Sequence, residues 1–179
     1  MTTRLPDSLT LRPMTPDDLP QVLTLEQAAY TSPWPEKAYR QELANPRAWL
    51  DVAEYSRQLV GYSGMWHFVD EVHLGTLVTH QAVRRRGIGE FLLLNIIHRA
   101  INLAATAVTL EVRASNSPAI QLYQKYQFRE VGERKKYYPD KENAIIMTVP
   151  GIAAPNYQDF LASRQEALFK HLQISWQLA

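Results

Sequence analysis

The residues best suited to chemistry form a short basic loop with two glycines, directly before an apolar helix, in the segment VRRRGIGEFLLLNII that begins at Val83. Glycines at positions 87 and 89 let the backbone turn tightly and come close to a ligand. The first N–H groups of a helix have no partners within it, and the helix dipole makes them a site for an anion, most often phosphate. The spacing matches neither a Walker loop nor a dinucleotide fingerprint. A basic turn before an ordinary helix is the simpler alternative.

The composition limits the possible partners of this loop. The chain has 179 residues, enough for one domain with a substantial core and a short appendage, and 46% of them are hydrophobic. Its formal net charge is +1, so no global field draws it to nucleic acid or to an anionic membrane. We therefore expect no direct nucleic-acid binding and no membrane association, and a monomer or weak dimer.

The residue types also restrict cofactors and compartment. Cysteine is absent, which excludes disulfides, thiolate metal sites and cysteine nucleophiles and suits a reducing compartment. The five histidines show no ligand spacing such as HxH or HExxH, so no metal site is expected. The first residues, MTTRLPDSLT, contain no apolar signal-peptide core. These features predict a cytoplasmic protein.

Strands and helices that must position the loop follow from the hydrophobic periodicity and the turn residues. Strands are predicted at residues 8–14, 49–54, 59–66, 71–79, 108–113, 128–131, 135–138 and 144–149, and helices at 15–30, 36–44, 87–104, 116–126 and 156–176. The loop joins strand 71–79 to helix 87–104, and strand 108–113 follows. Such a unit makes its two strands parallel neighbours. After a linker at 150–155, the last helix is amphipathic.

A longer run places the loop in a family. Residues 110–128 read LEVRASNSPAIQLYQKYQF; Asp70-Glu71, Tyr137-Tyr138-Pro139, Ala144-Ile-Ile-Met147 and the segment 26–37 follow the same pattern in order. Over residues 8–150 the chain resembles the GNAT-superfamily N-acetyltransferases, in particular the ribosomal-protein alanine N-acetyltransferase (RimI-type) family. The resemblance implies an α/β fold with a central mixed, mostly antiparallel sheet and helices on both faces. It divides the chain into an acetyltransferase domain at 8–150 and a linker with an amphipathic helix at 151–179.

The resemblance implies acetyl-CoA as co-substrate and indicates which residues would bind it. Leu77, Val78 and Thr79 would offer backbone groups of a splayed strand to the acetyl and pantetheine portions. The pyrophosphate would lie among Arg84, Arg85, Arg86, Gly87, Ile88, Gly89 and Glu90, with Asn116 as a further contact. Glu90 suits the helix dipole, but its carboxylate would repel a phosphate unless it points away. Asn116 also suits a helix N-cap, and the two roles are compatible.

The same resemblance implies a catalytic pair. Glu111 corresponds to the general base, acting directly or through water, and Tyr123 to the acid that protonates the departing thiolate. A terminal α-amine has a pKa of roughly 7.7–8.0 and attacks only when neutral, so a carboxylate can usefully take its proton. A thiol has a pKa of about 8.5, for which a phenol is an adequate donor. A solvent-facing strand glutamate and a packed helix tyrosine are the simpler alternatives.

The substrate candidates are aromatic residues in two segments. Tyr30 and Trp34 lie in a break containing two prolines, and Tyr137 and Tyr138 form a late pair. In relatives these segments flank the entry for a protein N-terminus, so the implied partner is a protein N-terminus, possibly alanine of a ribosomal protein. Aromatic pairs of this kind also occur as ordinary packing.

Two other functions stay open on the sequence. A GNAT enzyme can act on a small amine or a lysine side chain; lysine, with a pKa of about 10.4, requires more proton removal and would favour a wider, more acidic cleft. A non-catalytic acyl-CoA-sensing module that uses the last helix is the other alternative. The presence of both Glu111 and Tyr123 argues against it.

Overall fold

A seven-stranded sheet forms the centre of the computed structural model, which describes residues 9–177 and the side chains of residues 9–173. The strands are β1 (Leu9–Pro13), β2 (Ala48–Tyr55), β3 (Gln58–Phe68), β4 (Glu71–Thr79), β5 (Ala107–Arg113), β6 (Arg129–Arg134) and β7 (Ala144–Pro150). They lie in the order β1-β2-β3-β4-β5-β7-β6. Every neighbouring pair is antiparallel except β4 and β5, which are parallel. The mixed, mostly antiparallel sheet and its parallel unit are confirmed.

All five predicted helices are present, and the one predicted at 116–126 begins at its expected cap, Asn116. They are α1 (Leu19–Ala29), α2 (Glu36–Leu43), α3 (Ile88–Asn102), α4 (Ser117–Lys125) and α5 (Pro155–Gln177), with short 3-10 turns at Pro16–Asp18 and Gln81–Val83. The predicted helix at 15–30 starts with the first of these turns, because the backbone N–H and the hydroxyl of Thr15 both donate to Asp18, at 2.8 and 3.0 Å. Hydrogen bonds from Arg12 and Thr15 lower the pKa of Asp18 against the effect of burial.

One predicted strand is wrong. Residues 135–138 form a turn after β6 (Arg129–Arg134), which corresponds to the strand predicted at 128–131. The chain reverses through a hydrogen bond from the Lys141 N–H to the Tyr138 carbonyl (2.8 Å), and Lys136 and Lys141 have φ values of 53° and 65°. The two tyrosines suggested a strand, but the Pro139-Asp140 sequence that follows favours a turn. Ser8, the first residue of the predicted first strand, lies outside the described residues.

Two hydrophobic cores cover the two faces of the sheet. Successive residues of a strand alternate between them: Val52 and Leu59 belong to the core built with α1 and α2, whereas Ala53 and Val60 belong to the core built with α3, α4 and α5. This alternation is what a period of two requires of a sheet covered on both sides. Helices on both faces are therefore confirmed.

Helix α5 packs into the larger core. Leu161, Leu168 and Leu172 are buried on one side of it, as its amphipathic pattern predicts, and the ring of Phe169 lies 6.2 Å from that of Phe91 in α3. The division of the chain into an acetyltransferase domain at 8–150 and a linker with a helix at 151–179 stays a prediction. In the structure, α5 shares its core with α3.

Candidate active site

The site is organised by the separation of β4 from β5. Their parallel pairing runs from Glu71 with Ala107 to Leu74 with Leu110 and then stops. Strand β4 continues to pair with β3 as far as Thr79, so its last residues have no strand partner on the β5 side. Backbone groups left unpaired in this way are available to a ligand. Glu111 is the first residue of β5 beyond the paired region.

The loop between β4 and α3 ends in a glycine with a left-handed backbone. Gly87 has φ of 90° and immediately precedes α3. The N–H of Phe91 bonds to the Gly87 carbonyl at 2.9 Å and closes the first helical turn. The N–H groups of the three preceding residues have no partner within the helix. Their position next to β4 suits an anion, as the sequence predicts.

A cavity of about 870 Å³ opens beside the free end of β4. The predicted cofactor residues that line it are Leu77, Val78, Thr79, Arg84, Arg85, Gly87, Gly89, Glu90 and Asn116. The side chain of Ile88 is buried in the core, and Arg86 lies outside the lining, so neither side chain is part of the cavity wall. The volume is in the range of small-molecule and cofactor sites. Free helix N–H groups and arginines next to an apolar strand end fit a phosphorylated ligand with a long apolar arm.

The two glycines of the loop face different neighbours. A Cβ on Gly87 would lie 3.0 Å from Leu172 and 3.2 Å from Leu168, both in α5. A Cβ on Gly89 would instead lie 3.3 Å from the Thr79 hydroxyl, at the end of β4. Gly87 is therefore required by its positive φ and by α5, whereas Gly89 keeps the space between α3 and β4 open.

Glu90 is neutralised by its neighbours. Lys125 Nζ of α4 and the hydroxyl of Tyr126, the residue after α4, contact its carboxylate at 2.7 and 2.9 Å, and Arg164 of α5 contacts it at 3.3 Å. Its side chain is only 13% exposed. The charge that would repel a phosphate is thus offset by two cations, and the carboxylate joins α3, α4 and α5.

Asn116 caps α4 at the edge of the cavity. Its side-chain oxygen accepts a hydrogen bond from the Ala119 N–H at 3.3 Å, and Pro118 follows in the first turn. The cap explains why the helix begins here. Because Asn116 also lines the cavity, its predicted contact with the cofactor is compatible with this role.

Both carboxylate oxygens of Glu111 have cationic or polar partners. His73 Nε2 of β4 lies 2.9 Å from Oε2, and a guanidinium nitrogen of Arg134 in β6 lies 3.1 Å from Oε1. The side chain is 10% exposed. Glu111 is therefore not a solvent-facing strand residue but a carboxylate held between a histidine of the neighbouring strand β4 and an arginine of the edge strand β6.

Tyr123 is almost completely buried, and no hydrogen bond to its hydroxyl is found among the side chains of residues 9–173. Its ring packs 5.7 Å from that of Phe128. Burial raises the pKa of Tyr123 well above its usual value, and the nearby Tyr30 and Tyr138 raise it further. The phenol is thus protonated at neutral pH, which a proton donor requires.

Tyr30 joins the end of α1 to the free part of β4. Its hydroxyl lies 3.1 Å from that of Thr76, and burial of this end raises its pKa although the residue as a whole is 36% exposed. Tyr30 also lines the cavity. It is the one predicted substrate residue found in that lining.

Arg113 connects the two predicted substrate segments. Its guanidinium stacks 4.1 Å from the centre of the Tyr138 ring, contacts Glu142 at 2.6 Å and reaches the Thr31 hydroxyl at 3.5 Å. Hydrogen bonds from the side chain and backbone of Ser115, and then from Arg113, lower the pKa of Glu142 to about 2. The contact therefore persists across the neutral range. Tyr137 packs at a right angle on Tyr138, with ring centres 5.2 Å apart.

A buried carboxylate fixes the break that contains Trp34. Glu26 is 2% exposed and accepts hydrogen bonds from the Trp34 backbone N–H (2.8 Å), from the Tyr39 hydroxyl (2.8 Å) and from the Tyr62 hydroxyl. The Trp34 ring, 38% exposed, lies 5.9 Å from that of Trp66. Trp34 is therefore held in place as an exposed aromatic surface.

Comparison with known proteins agrees with this geometry. Residues 19–128 match the acetyltransferase (GNAT) family. The chain belongs to the GNAT acetyltransferase family. It is 35% identical, over 78% of its length and 93% of the relative's, to a protein of Bacillus subtilis named putative [ribosomal protein bS18]-alanine N-acetyltransferase. An N-alpha-acetyltransferase of Sulfurisphaera tokodaii is 35% identical over 74% of this chain and 87% of its own.

A solved structure extends the likeness to the fold. The crystal structure of the ribosomal-protein-S18-alanine N-acetyltransferase from Escherichia coli superposes with a TM-score of 0.74 at 31% identity, covering 80% of this chain and 94% of the other. This GNAT protein therefore has residues beyond the part that its relatives share. GNAT acetyltransferases use acetyl-CoA, and a crystal structure from Elizabethkingia anophelis with the same fold contains it.

Sequence reasoning did not identify several residues of this GNAT site. His73 is adjacent to Glu111 only because of the register between β4 and β5, which no local pattern reveals. Arg113 carried a weak signal, since it lies two residues after Glu111 and so on the same face of β5. The contribution of α5 to the cavity wall could not be found from its amphipathic pattern, which gives a buried side but not its neighbour.

Within the described ranges, no three His, Asp or Glu side chains are grouped so that they could hold a metal ion. Across residues 9–177, no helix combines the length and apolar character that spanning a bilayer requires.

Proposed function

We propose that the protein transfers an acetyl group from acetyl-CoA to the α-amine of a protein N-terminal residue, alanine of a ribosomal protein. One observation carries the proposal: the cavity lies beside the end of β4, where β4 separates from β5, and Glu111, outside the cavity lining, follows the last paired residue of β5. On one side of the opening Leu77, Val78 and Thr79 line the cavity, and on the other side Glu111 is the first residue of β5 beyond its pairing with β4. A donor molecule along β4 and an acceptor beside β5 would meet there.

The cavity residues would hold the cofactor, which supplies an acetyl group activated as a thioester. Backbone N–H groups at the start of α3, with Arg84 and Arg85, would bind its phosphates. The backbone of Leu77 to Thr79, which has no strand partner on the β5 side, would align its apolar arm and could polarise a carbonyl by hydrogen bonding. Asn116 would add a contact from the start of α4.

Glu111 would accept the proton of the incoming amine. An α-amine is protonated at least in part at neutral pH, so a nearby carboxylate raises the fraction that can attack. His73 and Arg134 fix the two carboxylate oxygens, which makes His73 a positioning residue. Proton transfer directly or through one water is compatible with this arrangement.

Tyr123 would donate its proton to the leaving thiolate. Its raised pKa keeps the phenol protonated, and its hydroxyl has no competing partner within the described side chains. With no cysteine in the chain, direct transfer without a thioester on the protein is the simplest mechanism.

The acceptor entrance favours an α-amine over a lysine side chain. A lysine acceptor would benefit from uncompensated carboxylates near the opening. Here Asp140 and Glu142 are both paired with Arg113, at 2.8 and 2.6 Å. The rigid segments with Tyr30 and Trp34 on one side and Tyr137 and Tyr138 on the other suit an extended peptide whose first residue enters a limited pocket.

The relatives supply the specific acceptor. The B. subtilis and E. coli proteins are named for alanine of ribosomal protein S18. Because they share 31–35% identity with this chain over about three quarters of its length, the same acceptor class is proposed here.

Peptide acetylation tests the proposal directly. The protein is incubated with acetyl-CoA and three peptides: one that begins with alanine, one that begins with a large side chain, and one with a blocked N-terminus and an internal lysine. Intact mass and fragment-ion analysis locate the acetyl group. We expect it on the α-amine of the alanine peptide; acetylation mainly of the internal lysine would replace the proposal with a lysine acetyltransferase.

A further inference from the structure

Helix α5 forms one wall of the cavity proposed to hold acetyl-CoA. Arg164, Ala167, Leu168 and His171 of α5 line it together with the loop and first turn of α3. Ala167 and His171 are exposed, whereas Leu168 is buried against the core. The same part of α5 therefore packs against the core through Leu168 and borders the cavity through Ala167 and His171.

Packing and a shared carboxylate fix this wall in place. Leu168 and Leu172 lie against Gly87, so α5 sits directly on the glycine loop. Arg164 contacts Glu90 at 3.3 Å, and Lys125 of α4 contacts the same carboxylate at 2.7 Å. The position of α5 is therefore fixed by the fold next to the first turn of α3, where a phosphate of the cofactor is expected to bind.

The positive charge of the side chains that line the cavity is greater than the negative charge of Glu90. Arg84, Arg85, Lys125 and Arg164 are its cations, and Glu90 is the one carboxylate in its lining as far as the described residues extend. Arg164 Nε is buried without a hydrogen-bond partner among those residues, so Glu90 does not saturate the guanidinium. An anionic ligand would complete this set of donors.

The helix lies beyond the part of the chain that matches the family. The family match ends at residue 128, and α5 begins at Pro155. The E. coli structure is covered over 94% of its length by only 80% of this chain. Cofactor contacts from α5 would therefore add to those expected from the shared fold.

We propose that α5 is a cofactor-binding element, in which Arg164 and His171 bind the phosphates at the nucleotide end of acetyl-CoA. The inference rests on the proposed function, because it assigns further residues to the same cavity. It gives the C-terminal helix a role in its own domain.

A matched pair of charge insertions tests the proposal. Ala167 and Ala162 are both exposed on α5, but only Ala167 lines the cavity. Titration calorimetry with acetyl-CoA should show that Ala167→Glu raises Kd about tenfold or more, because the new carboxylate repels the phosphates. Ala162→Glu should bind as the unaltered protein does. Equal Kd values for both variants, at unchanged melting temperature without ligand, would overturn the proposal.

A second set replaces the proposed phosphate ligands and identifies the phosphate that they contact. His171→Gln and Arg164→Gln should each raise Kd several-fold, Arg164→Lys should restore part of the loss, and Lys170→Gln, which removes an exposed cation outside the cavity, should have no effect. Repeating the titrations with dephospho-CoA shows whether the lost contact is with the 3′-phosphate or with the pyrophosphate. If neither His171→Gln nor Arg164→Gln changes Kd for either ligand, α5 does not bind the nucleotide. His171 is exposed, so its variant is informative even if an Arg164 variant unfolds.

The unaltered protein separates the two proposals. If it fails to bind acetyl-CoA in the calorimeter, the cofactor assignment and with it the proposed function are wrong. If it binds acetyl-CoA and acetylates the alanine peptide, but all α5 variants bind equally well, only the role of α5 is wrong.

Discussion

His73 Nε2 and Glu111 Oε2 lie 2.9 Å apart, on two parallel strands whose pairing ends at Leu74 and Leu110. The contact places a carboxylate with a fixed orientation at the opening between the strands. Arg134 holds the other oxygen at 3.1 Å, so rotation of the carboxylate would break one contact or the other. A proton acceptor held in this way meets the first geometric requirement for general-base catalysis.

Replacing Glu111 by Gln should reduce the rate most near neutral pH. The amide keeps the size of the side chain but accepts no proton, so only amine that is already neutral can attack. We expect a loss on the order of 10²-fold in kcat/KM near pH 7, with partial recovery as the amine loses its proton above pH roughly 8. A rate–pH profile with an alanine peptide measures this. A profile that is parallel to that of the unaltered protein would show that another group removes the proton.

His73 should act by orienting Glu111. His73→Phe removes the contact with Glu111 and should lower kcat about tenfold, equivalent to ~1.4 kcal/mol in the barrier, with little change in KM for acetyl-CoA. His73→Gln retains a donor and should restore much of the rate. If the Gln and Phe variants are equally impaired, the imidazole has a role beyond positioning.

Tyr123→Phe should impair chemistry without impairing cofactor binding. The substitution removes only a hydroxyl with no partner among the described side chains, so packing against Phe128 is retained. Loss of the proton donor should lower kcat on the order of 10²-fold. Calorimetry with acetyl-CoA should give an unchanged Kd. Normal turnover in a correctly folded variant would mean that the thiolate leaves without help from this phenol.

The sequence predicted those parts of the fold that depend on local pattern. The span 71–79 agrees with β4, Asn116 caps α4 as expected, and the buried side of α5 follows its amphipathic pattern. A strand was predicted at 135–138, where the structure has a turn, because the two tyrosines favour a strand and the turn-forming Pro139-Asp140 sequence was given too little weight. The turn residues determine the backbone conformation of this segment. The rings of Tyr137 and Tyr138 pack on each other and on arginine side chains.

The site was predictable where the family motif is contiguous and not where it depends on register. The loop and the strand end that line the cavity follow one another along the chain. His73, Arg113 and the α5 residues reach the site through strand pairing or helix packing between distant segments. Single-sequence periodicity fixes which side of an element is buried, but not which neighbour buries it.

Gly89→Val should weaken cofactor binding while preserving the fold. A Cβ at Gly89 already approaches the Thr79 hydroxyl at 3.3 Å, so a branched side chain would narrow the gap between α3 and β4. We expect Kd for acetyl-CoA to rise about tenfold. Gly132→Val is the matched control, because its Cβ would meet only Ile146, at 3.5 Å, away from the cavity. Unchanged affinity in a folded Gly89 variant would remove this loop from the binding site.

Alkaline pH should destabilise the protein through its buried tyrosines. Burial raises the pKa of Tyr39, Tyr62, Tyr126 and Tyr157 above the usual value of 10.0. A raised pKa means that the folded state keeps protons which the unfolded chain has already lost above pH 10. The stabilisation is therefore complete below pH 10 and is lost as the pH rises from there towards the folded pKa values, by up to ~1.4 kcal/mol per pH unit for each tyrosine.

Urea unfolding at pH 8, 10 and 11 measures the decline. Tyr157→Phe removes one such group, whose hydroxyl donates to the Tyr126 carbonyl at 3.0 Å, and should make the decline less steep. A free energy of unfolding that stays constant between pH 10 and 11 would show that these phenols ionise as readily in the folded protein as in the unfolded chain.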